Sequence, residues 1–131
     1  MIREILKYDV QRIDYVEINP WLIRAVRRYS DVYEDPRVGV INQDARLYIK
    51  NSKEKYDAAL IQLPEPSTVQ LNRFYTQSFY AELKQCLSSD AVISFSISGS
   101  TNYMSQEERQ LNSSLYQTLK TQDPDLIRDK L

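Results

Sequence analysis

Short apolar runs and longer amphipathic segments follow one another along the chain, and this pattern predicts alternating strands and helices. The strand segments are brief, rich in β-branched and aromatic residues, and bounded by turn-forming residues. They are RIDYVEI (12–18), VGVINQD (38–44), YDAALIQL (56–63) and DAVISFSI (90–97). The third is apolar at nearly every position from 58 to 61, which is typical of a strand that is buried on both faces.

Apolar residues recur at helical spacing in the segments between these strands. The predicted helices are 2–8, 20–33, 45–52, 74–87 and 105–121. Asn19 suits the N-cap of the second helix and Pro20 its first turn. Its Leu22, Ile23 and Val26 are expected to face inward, with the arginines outward. Residues 122–131 are charged and are expected to form a loose tail or a short helix.

Strands that alternate with helices indicate βαβ units, and therefore an α/β fold with a mostly parallel sheet. The 131 residues are enough for a single domain. In sheets of this kind, ligands bind outside the carboxyl ends of the strands. The candidate functional residues are therefore those that directly follow a strand.

The charge balance narrows the range of functions. Lys and Arg number 17 against 18 Asp and Glu, a net charge of −1, without the basic excess that is typical of proteins that bind nucleic acids or membrane surfaces. No apolar stretch has transmembrane length, and the N-terminus has no signal-peptide pattern. We therefore expect a cytoplasmic location and no nucleic-acid partner.

Two scarce residue types exclude whole classes of site. The chain has no histidine and one cysteine, Cys86, so we expect neither an internal disulfide nor a metal site. Cys86 is predicted to be a small core residue. The two glycines, Gly39 and Gly99, lie far apart, so they cannot form a glycine-rich phosphate loop.

Two acidic residues stand at successive strand ends. Glu17 lies at the end of the first strand and can accept both ribose hydroxyls of a nucleoside, or it can be an ordinary acid near a helix N-terminus. Asp44 ends the next strand and can accept the amino group of adenine, or it can be a helix N-cap. Spacing leaves these alternatives open, although the two acids together favour a nucleoside site more than either does alone.

The loop PEPST (64–68) places Glu65 between two prolines, which stiffen the backbone. A carboxylate held over a pocket can bind a cationic amine, and the alternative is a solvent-exposed loop acid. Tyr75, Tyr80 and Tyr103 can line an amine or adenosyl pocket, or they can cover core edges with their hydroxyls in water.

The order and spacing of these segments resemble the spermidine/spermine synthase family. The resemblance rests on IREILKY, RIDYVEINPWLIRAVRRY, DPRVGVINQDAR, YDAALIQLPEPSTVQLNRFYTQSFYAELKQCL and AVISFSISGSTNY, and it covers roughly residues 2–120. It implies the Rossmann-like fold of class I S-adenosylmethionine-dependent methyltransferases. It also implies aminopropyl transfer from decarboxylated S-adenosylmethionine to an amine, with no tightly bound cofactor.

The resemblance implies that the nucleoside of the donor lies at the first two strand ends. Glu17 would hold the ribose hydroxyls. Gln43-Asp44-Ala45 resembles the family's Gly-Asp-Ala turn, whose acid meets the adenine, although Gln43 replaces the glycine. We therefore expect Glu17, Asp44 and Ala45 to bind the co-substrate.

On the amine side, the resemblance assigns three further residues. Gln62 takes the position of the acid that deprotonates the attacking amine, Glu65 that of the acid that binds the amine, and Tyr75 that of an aromatic residue after the loop. Gln62 is an amide and cannot accept a proton as a carboxylate does. The isolated chain is therefore expected to be inactive.

The family's first strand, its glycine-rich loop and its closing β-hairpin have no counterpart in these residues, so we expect residues 1–131 to be a fragment with an incomplete sheet. Without the first strand, 12–18 is expected to pair directly with 56–63, or a second chain fills the gap. Exposed strand edges favour a homo-oligomer. The resemblance is closest to a branch that is often fused to membrane segments, so the parent protein can carry such segments.

Two other functions stay open. A non-catalytic interaction or assembly domain would keep the fold without the chemistry, as the amide at Gln62 suggests. An S-adenosylmethionine-dependent methyltransferase would share the fold, although the loop at 64–68 and the tyrosines favour the polyamine family.

Overall fold

The structure of the protein is a computed structural model that describes residues 1–63, 69–95 and 106–122. The chain divides into two units, Met1–Asn51 and Ser52–Leu131. The single domain expected for residues 1–131 stays a prediction, and of the expected tail only Gln122 is described, as the last residue of a helix.

The first unit contains two parallel strands and three helices. Strand β1 pairs with β2 so that Ile13 lies opposite Val38 and Val16 opposite Ile41. The elements in chain order are α1 (Ile2–Ile5), β1 (Ile13–Val16), α2 (Pro20–Tyr29), a 3-10 turn (Val32–Glu34), β2 (Val38–Ile41) and α3 (Ala45–Asn51). The parallel βαβ arrangement predicted for this part of the chain is confirmed.

Helix α2 begins where the sequence predicts. The Asn19 side chain accepts a hydrogen bond from the Trp21 backbone N–H at 3.0 Å, and Pro20 is the first helical residue. Ile23 is buried and Val26 half-buried, but Leu22 is 44% exposed. The inward position predicted for Leu22 is therefore wrong, because each helical residue turns the side chain by about 100° and only the line through Ile23 and Val26 meets the core.

The second unit also has a parallel pair of strands. Strand β3 pairs with β4 so that Ala58 lies opposite Val92 and Ile61 opposite Phe95, with an irregularity between Tyr56 and Ala58. The elements in chain order are β3 (Tyr56–Ile61), α4 (Val69–Asn72), a 3-10 turn (Arg73–Tyr75), α5 (Gln77–Lys84), β4 (Leu87–Phe95) and α6 (Gln106–Gln122).

The helix predicted over 74–87 is shorter in the structure. The Thr76 side chain accepts the Phe79 backbone N–H and caps α5, which leaves Phe74 in the preceding 3-10 turn. Strand β4 begins at Leu87 because that residue pairs with Tyr56, whose N–H donates to the Cys86 carbonyl at 2.9 Å. The strand therefore starts three residues before its predicted position at 90.

Aromatic packing forms the core of the second unit. The Phe79 ring meets the rings of Phe74 and Tyr80 edge to face, with centroids 5.3 and 5.4 Å apart, a favoured geometry for aromatic pairs. Cys86, which follows α5 in the chain, is also buried, as predicted. Burial raises the pKa of its thiol. Among the residues of this unit whose burial is described, Leu83 and Leu87 are the others that are buried.

One expectation about strand β3 is wrong. The described strands form two two-stranded sheets, β1–β2 and β3–β4, and the alternatives expected for 12–18 and 56–63, direct pairing or a second chain between them, stay predictions. Strand β3 is not buried on both faces, since Ala58 is exposed and Leu60 is 44% exposed. An apolar run of this length does not by itself fix burial, which depends on the layers that pack on each face.

Candidate functional site

Glu17 is the first residue beyond β1, and hydrogen bonds of both its backbone N–H and its carboxylate hold it in place. Its N–H donates to the Ile41 carbonyl at 3.0 Å, which extends the parallel ladder. Its Oε1 accepts the backbone N–H of Asn19 at 2.7 Å, at the residue that caps α2. The half-buried carboxylate is thus fixed at the carboxyl end of β1, as the strand-end argument predicts.

Asn42 joins the two strand ends and was missed by the sequence analysis. Its side-chain Nδ2 donates to the backbone carbonyls of Glu17 and Ile18, at 2.7 and 3.0 Å. The sequence signal was available, because Asn42 is the first residue after β2. It was overlooked because the predicted strand ran on to Asp44.

Asp44 is the N-cap of α3. Its Oδ1 accepts the Leu47 N–H at 3.1 Å and its backbone carbonyl accepts the Tyr48 N–H at 2.9 Å. The helix-cap alternative for Asp44 is therefore confirmed, and Ala45 is the first residue of the helix. A cap and a ligand contact are compatible, because an ionised carboxylate offers about four acceptor positions.

A pair of stacked tyrosines lies beside the end of β1. The Tyr15 and Tyr33 rings are 5.3 Å apart and inclined by 28°. Burial raises the pKa of the Tyr15 phenol well above its usual range, and Tyr33 and the Glu17 carboxylate raise it further. Tyr15 and Glu17 are two residues apart on an extended segment, so they share one side of the sheet. The sequence analysis did not single out either tyrosine.

A buried carboxylate lies on the other side of β1. The Asp14 side chain is 3% exposed and accepts hydrogen bonds from Arg12 Nε and from the Tyr48 hydroxyl, each at 2.9 Å. The hydroxyl contact joins β1 to α3. The alternating pattern of 12–18 suggested only a polar strand face, and nothing local in the sequence indicates that Asp14 is buried.

The candidates on the amine side belong to the second unit. Gln62 directly follows β3 and is exposed. Tyr75 is half-buried in the 3-10 turn before α5. Burial, with a smaller effect of Tyr75, raises the pKa of Tyr80 to about 12. Glu65 and Tyr103 lie outside the described residues.

The described ranges contain neither a cluster of metal-ligating side chains nor a helix that could span a membrane. Across residues 1–63, 69–95 and 106–122, no group of three or more His, Cys, Asp or Glu side chains could hold a metal ion. None of the helices in those ranges combines the length and apolarity that crossing a bilayer requires. A cleft of about 650 Å³ in the first unit lies between α1 and the 3-10 turn, away from Glu17 and Asp44, and is lined in part by Leu6 and Val32.

Known proteins resemble this sequence over most of its length. The family model described as "Spermine/spermidine synthase domain" matches residues 1–125. Polyamine aminopropyltransferase 2 of Aquifex aeolicus is 30% identical over 126 residues, which cover 91% of this chain and 24% of the relative. The polyamine aminopropyltransferase of Saccharolobus solfataricus is 34% identical over 95 residues, 66% of this chain and 31% of the relative. The chain thus spans less than a third of the length of these relatives.

Solved structures agree with the sequence match. A spermidine synthase in complex with the transition state analogue AdoDATO superposes with a TM-score of 0.74 at 22% identity, over 94% of this chain and 40% of the other. The spermidine synthase from Thermotoga maritima gives a TM-score of 0.73 at 21% identity, over 94% and 41%. At this identity the structures establish the fold. The chain belongs to the spermine/spermidine synthase domain family and has its methyltransferase-like α/β fold.

Proposed function

We propose that this chain forms the adenosyl-binding part of a site for aminopropyl transfer from decarboxylated S-adenosylmethionine to an amine. The observation that carries the proposal is the placement of Glu17 and Asp44. Both follow neighbouring parallel strands, and a backbone amide holds one oxygen of each carboxylate. Ligands of doubly wound sheets bind at this end of the strands.

Glu17 is the proposed acceptor for the ribose hydroxyls. An ionised carboxylate has about four lone-pair positions, and the Asn19 N–H uses one of them on Oε1. Two hydroxyls on adjacent ribose carbons match the two oxygens of one carboxylate. Hydrogen bonds to a charged acceptor are stronger than those between neutral groups, so the pair would favour a ribonucleoside over a deoxynucleoside.

Asp44 is the proposed acceptor for the adenine amino group. The N-cap bond to Leu47 fixes the side-chain torsion of Asp44, so a ligand that meets the carboxylate finds it already oriented. Ala45 places no polar side chain beside it, which suits a flat purine. This assignment rests on the strand-end geometry of the first unit and on the family to which the chain belongs.

On the amine side, we propose that the isolated chain binds the amine but does not transfer the aminopropyl group to it. In the reaction, the amine nitrogen attacks the aminopropyl carbon, the carbon–sulfur bond breaks, methylthioadenosine leaves and the amine loses a proton. Gln62, exposed after β3, can orient the amine by hydrogen bonding but cannot take that proton. Glu65 as the amine-binding acid and Tyr75 as an aromatic wall stay predictions.

The amide at Gln62 also supports a second candidate function, a non-catalytic domain that keeps the nucleoside site for assembly or ligand sensing. Product analysis separates the possibilities after incubation with an amine and either adenosyl donor. Transfer of an aminopropyl group would support an active transferase, transfer of a methyl group would support a methyltransferase, and no product with retained nucleoside binding would support the non-catalytic domain.

Calorimetry with methylthioadenosine tests the nucleoside site directly. We expect binding by the chain, and weakening by about 10- to 100-fold in Glu17→Gln, since the charged hydrogen bonds it loses are worth about 1.5–3 kcal/mol. Glu34→Gln is the matched control, because Glu34 is an exposed acid of the same unit in the 3-10 turn. No heat and no thermal shift at millimolar nucleoside would refute the proposal.

A further inference from the structure

Asn42 contacts the residue that is proposed to bind ribose, without being placed to do chemistry itself. Its Nδ2 carries two N–H donors, and both find backbone carbonyls on the neighbouring strand end, those of Glu17 and Ile18. Asn42 and Glu17 are 25 positions apart in the chain. Asn42 therefore closes the junction between the end of β1 and the end of β2 beyond the last ladder bond.

With this contact, each polar group of Glu17 has a bond inside the first unit. Its N–H donates to Ile41, its carbonyl accepts from Asn42, and its carboxylate accepts from Asn19. Glu17 lies between β1 and α2, outside both elements. The Asn42 amide holds the carbonyls of the two peptide groups that follow Glu17, and the Glu17 carboxylate holds the N–H of the second.

We infer that Asn42 is a positioning residue for Glu17, which sets the orientation of its carboxylate toward the two ribose hydroxyls. The inference rests on the proposed function in assigning ribose to Glu17. Binding of two adjacent hydroxyls by one carboxylate requires placement within about 0.5 Å and 10–20°. A rotation of the peptide after Glu17 would move both the carboxylate and the Asn19 amide that holds it.

The test compares methylthioadenosine with its 2′,3′-dideoxy analogue, the deoxynucleoside of this test, which lacks both hydroxyls, in Asn42→Ala and Asn42→Asp. Both variants remove the donors. Asn42→Asp keeps the shape of the side chain, and Asn42→Ala adds no charge. We expect each variant to reduce the preference for ribose over deoxyribose about 5-fold, the effect of about one hydrogen bond, with less than about a twofold change in affinity for the deoxynucleoside. Asn51→Ala, at the exposed end of α3, is the control and should keep the preference.

A ligand-free readout separates failure of the inference from failure of the proposed function. The Asn19 amide proton shifts in NMR spectra as the Glu17 carboxylate to which it is bonded is protonated. Loss of position should reduce the amplitude of this shift by about half or more in Asn42→Ala, as the bond lengthens beyond hydrogen-bond range.

If the unmodified chain binds no nucleoside, the proposed function is refuted, and a reduced shift amplitude still supports the positioning role. An unchanged amplitude, or an unchanged ribose preference in both Asn42 variants, would overturn the inference. Equal weakening of both nucleosides would also overturn it, because that result indicates a structural role alone.

Discussion

Replacing Gly39 by alanine should destabilise the first unit through the buried carboxylate of Asp14. A Cβ built on Gly39 lies 3.0 Å from Asp14 Oδ1, where ordinary contacts begin near 3.4 Å. The carboxylate must therefore move by about 0.4 Å. It is 3% exposed and held by Arg12 and Tyr48 at 2.9 Å, so it cannot yield without stretching those bonds.

The size of the effect follows from two opposing contributions. A hydrogen bond to a charged group contributes about 1.5–3 kcal/mol to stability. Partial loss of two such bonds determines how much stability the substitution removes. Replacing glycine by alanine stabilises by about 0.4–1 kcal/mol, because the unfolded chain has less freedom. We therefore expect Gly39→Ala to lower the free energy of unfolding by about 1–2 kcal/mol.

Urea unfolding followed by circular dichroism measures this change, and a double-mutant cycle assigns its cause. In an Asp14→Ala background the carboxylate is gone, so Gly39→Ala should become neutral or stabilise by about 0.4–1 kcal/mol. The reasoning fails if Gly39→Ala destabilises both backgrounds equally, or if it stabilises the unmodified chain.

Three further predictions concern pH, activity and assembly. Hydrogen bonds from Arg37 lower the pKa of Asp35 from 3.8 to about 2, so the contribution of the pair to stability should be complete above about pH 4 and disappear as the pH falls through 2. The midpoints of urea unfolding of the unmodified chain and of Asp35→Asn should therefore converge at low pH. A constant difference between the two midpoints down to pH 2 would contradict this prediction. Gln62→Asp alone should not create aminopropyl transfer that mass spectrometry can detect. The reason is that Gly39 and Gly99 are the only glycines of the 131 residues, which therefore contain no glycine-rich loop for the tail of the donor. Turnover by the unmodified chain that Glu17→Ala abolishes would refute this prediction. Finally, two-stranded sheets are marginal alone, so we expect light scattering to give a mass above 15.4 kDa, and a monomer at high concentration would remove the idea of a homo-oligomer.

Much of the candidate nucleoside site could be predicted from the sequence, because its signals are local. The change from strand to helix periodicity located Glu17 and Asp44 at strand ends, and Pro20 after Asn19 marked the start of α2. Such signals depend on residues a few positions apart, whose capping bonds form within one turn. The family resemblance added proposed roles to positions that the pattern had already selected.

The tertiary structure decided what depends on partners far apart in the chain. The burial of Asp14 requires Tyr48, 34 residues away, and the fixed backbone of Glu17 requires Asn42, 25 residues away. No window of local sequence contains these pairs. For the same reason, the pattern misjudged which apolar residues are covered: Leu22 and Leu60 are each 44% exposed, because burial depends on the layer that packs against a residue as well as on its own hydrophobicity.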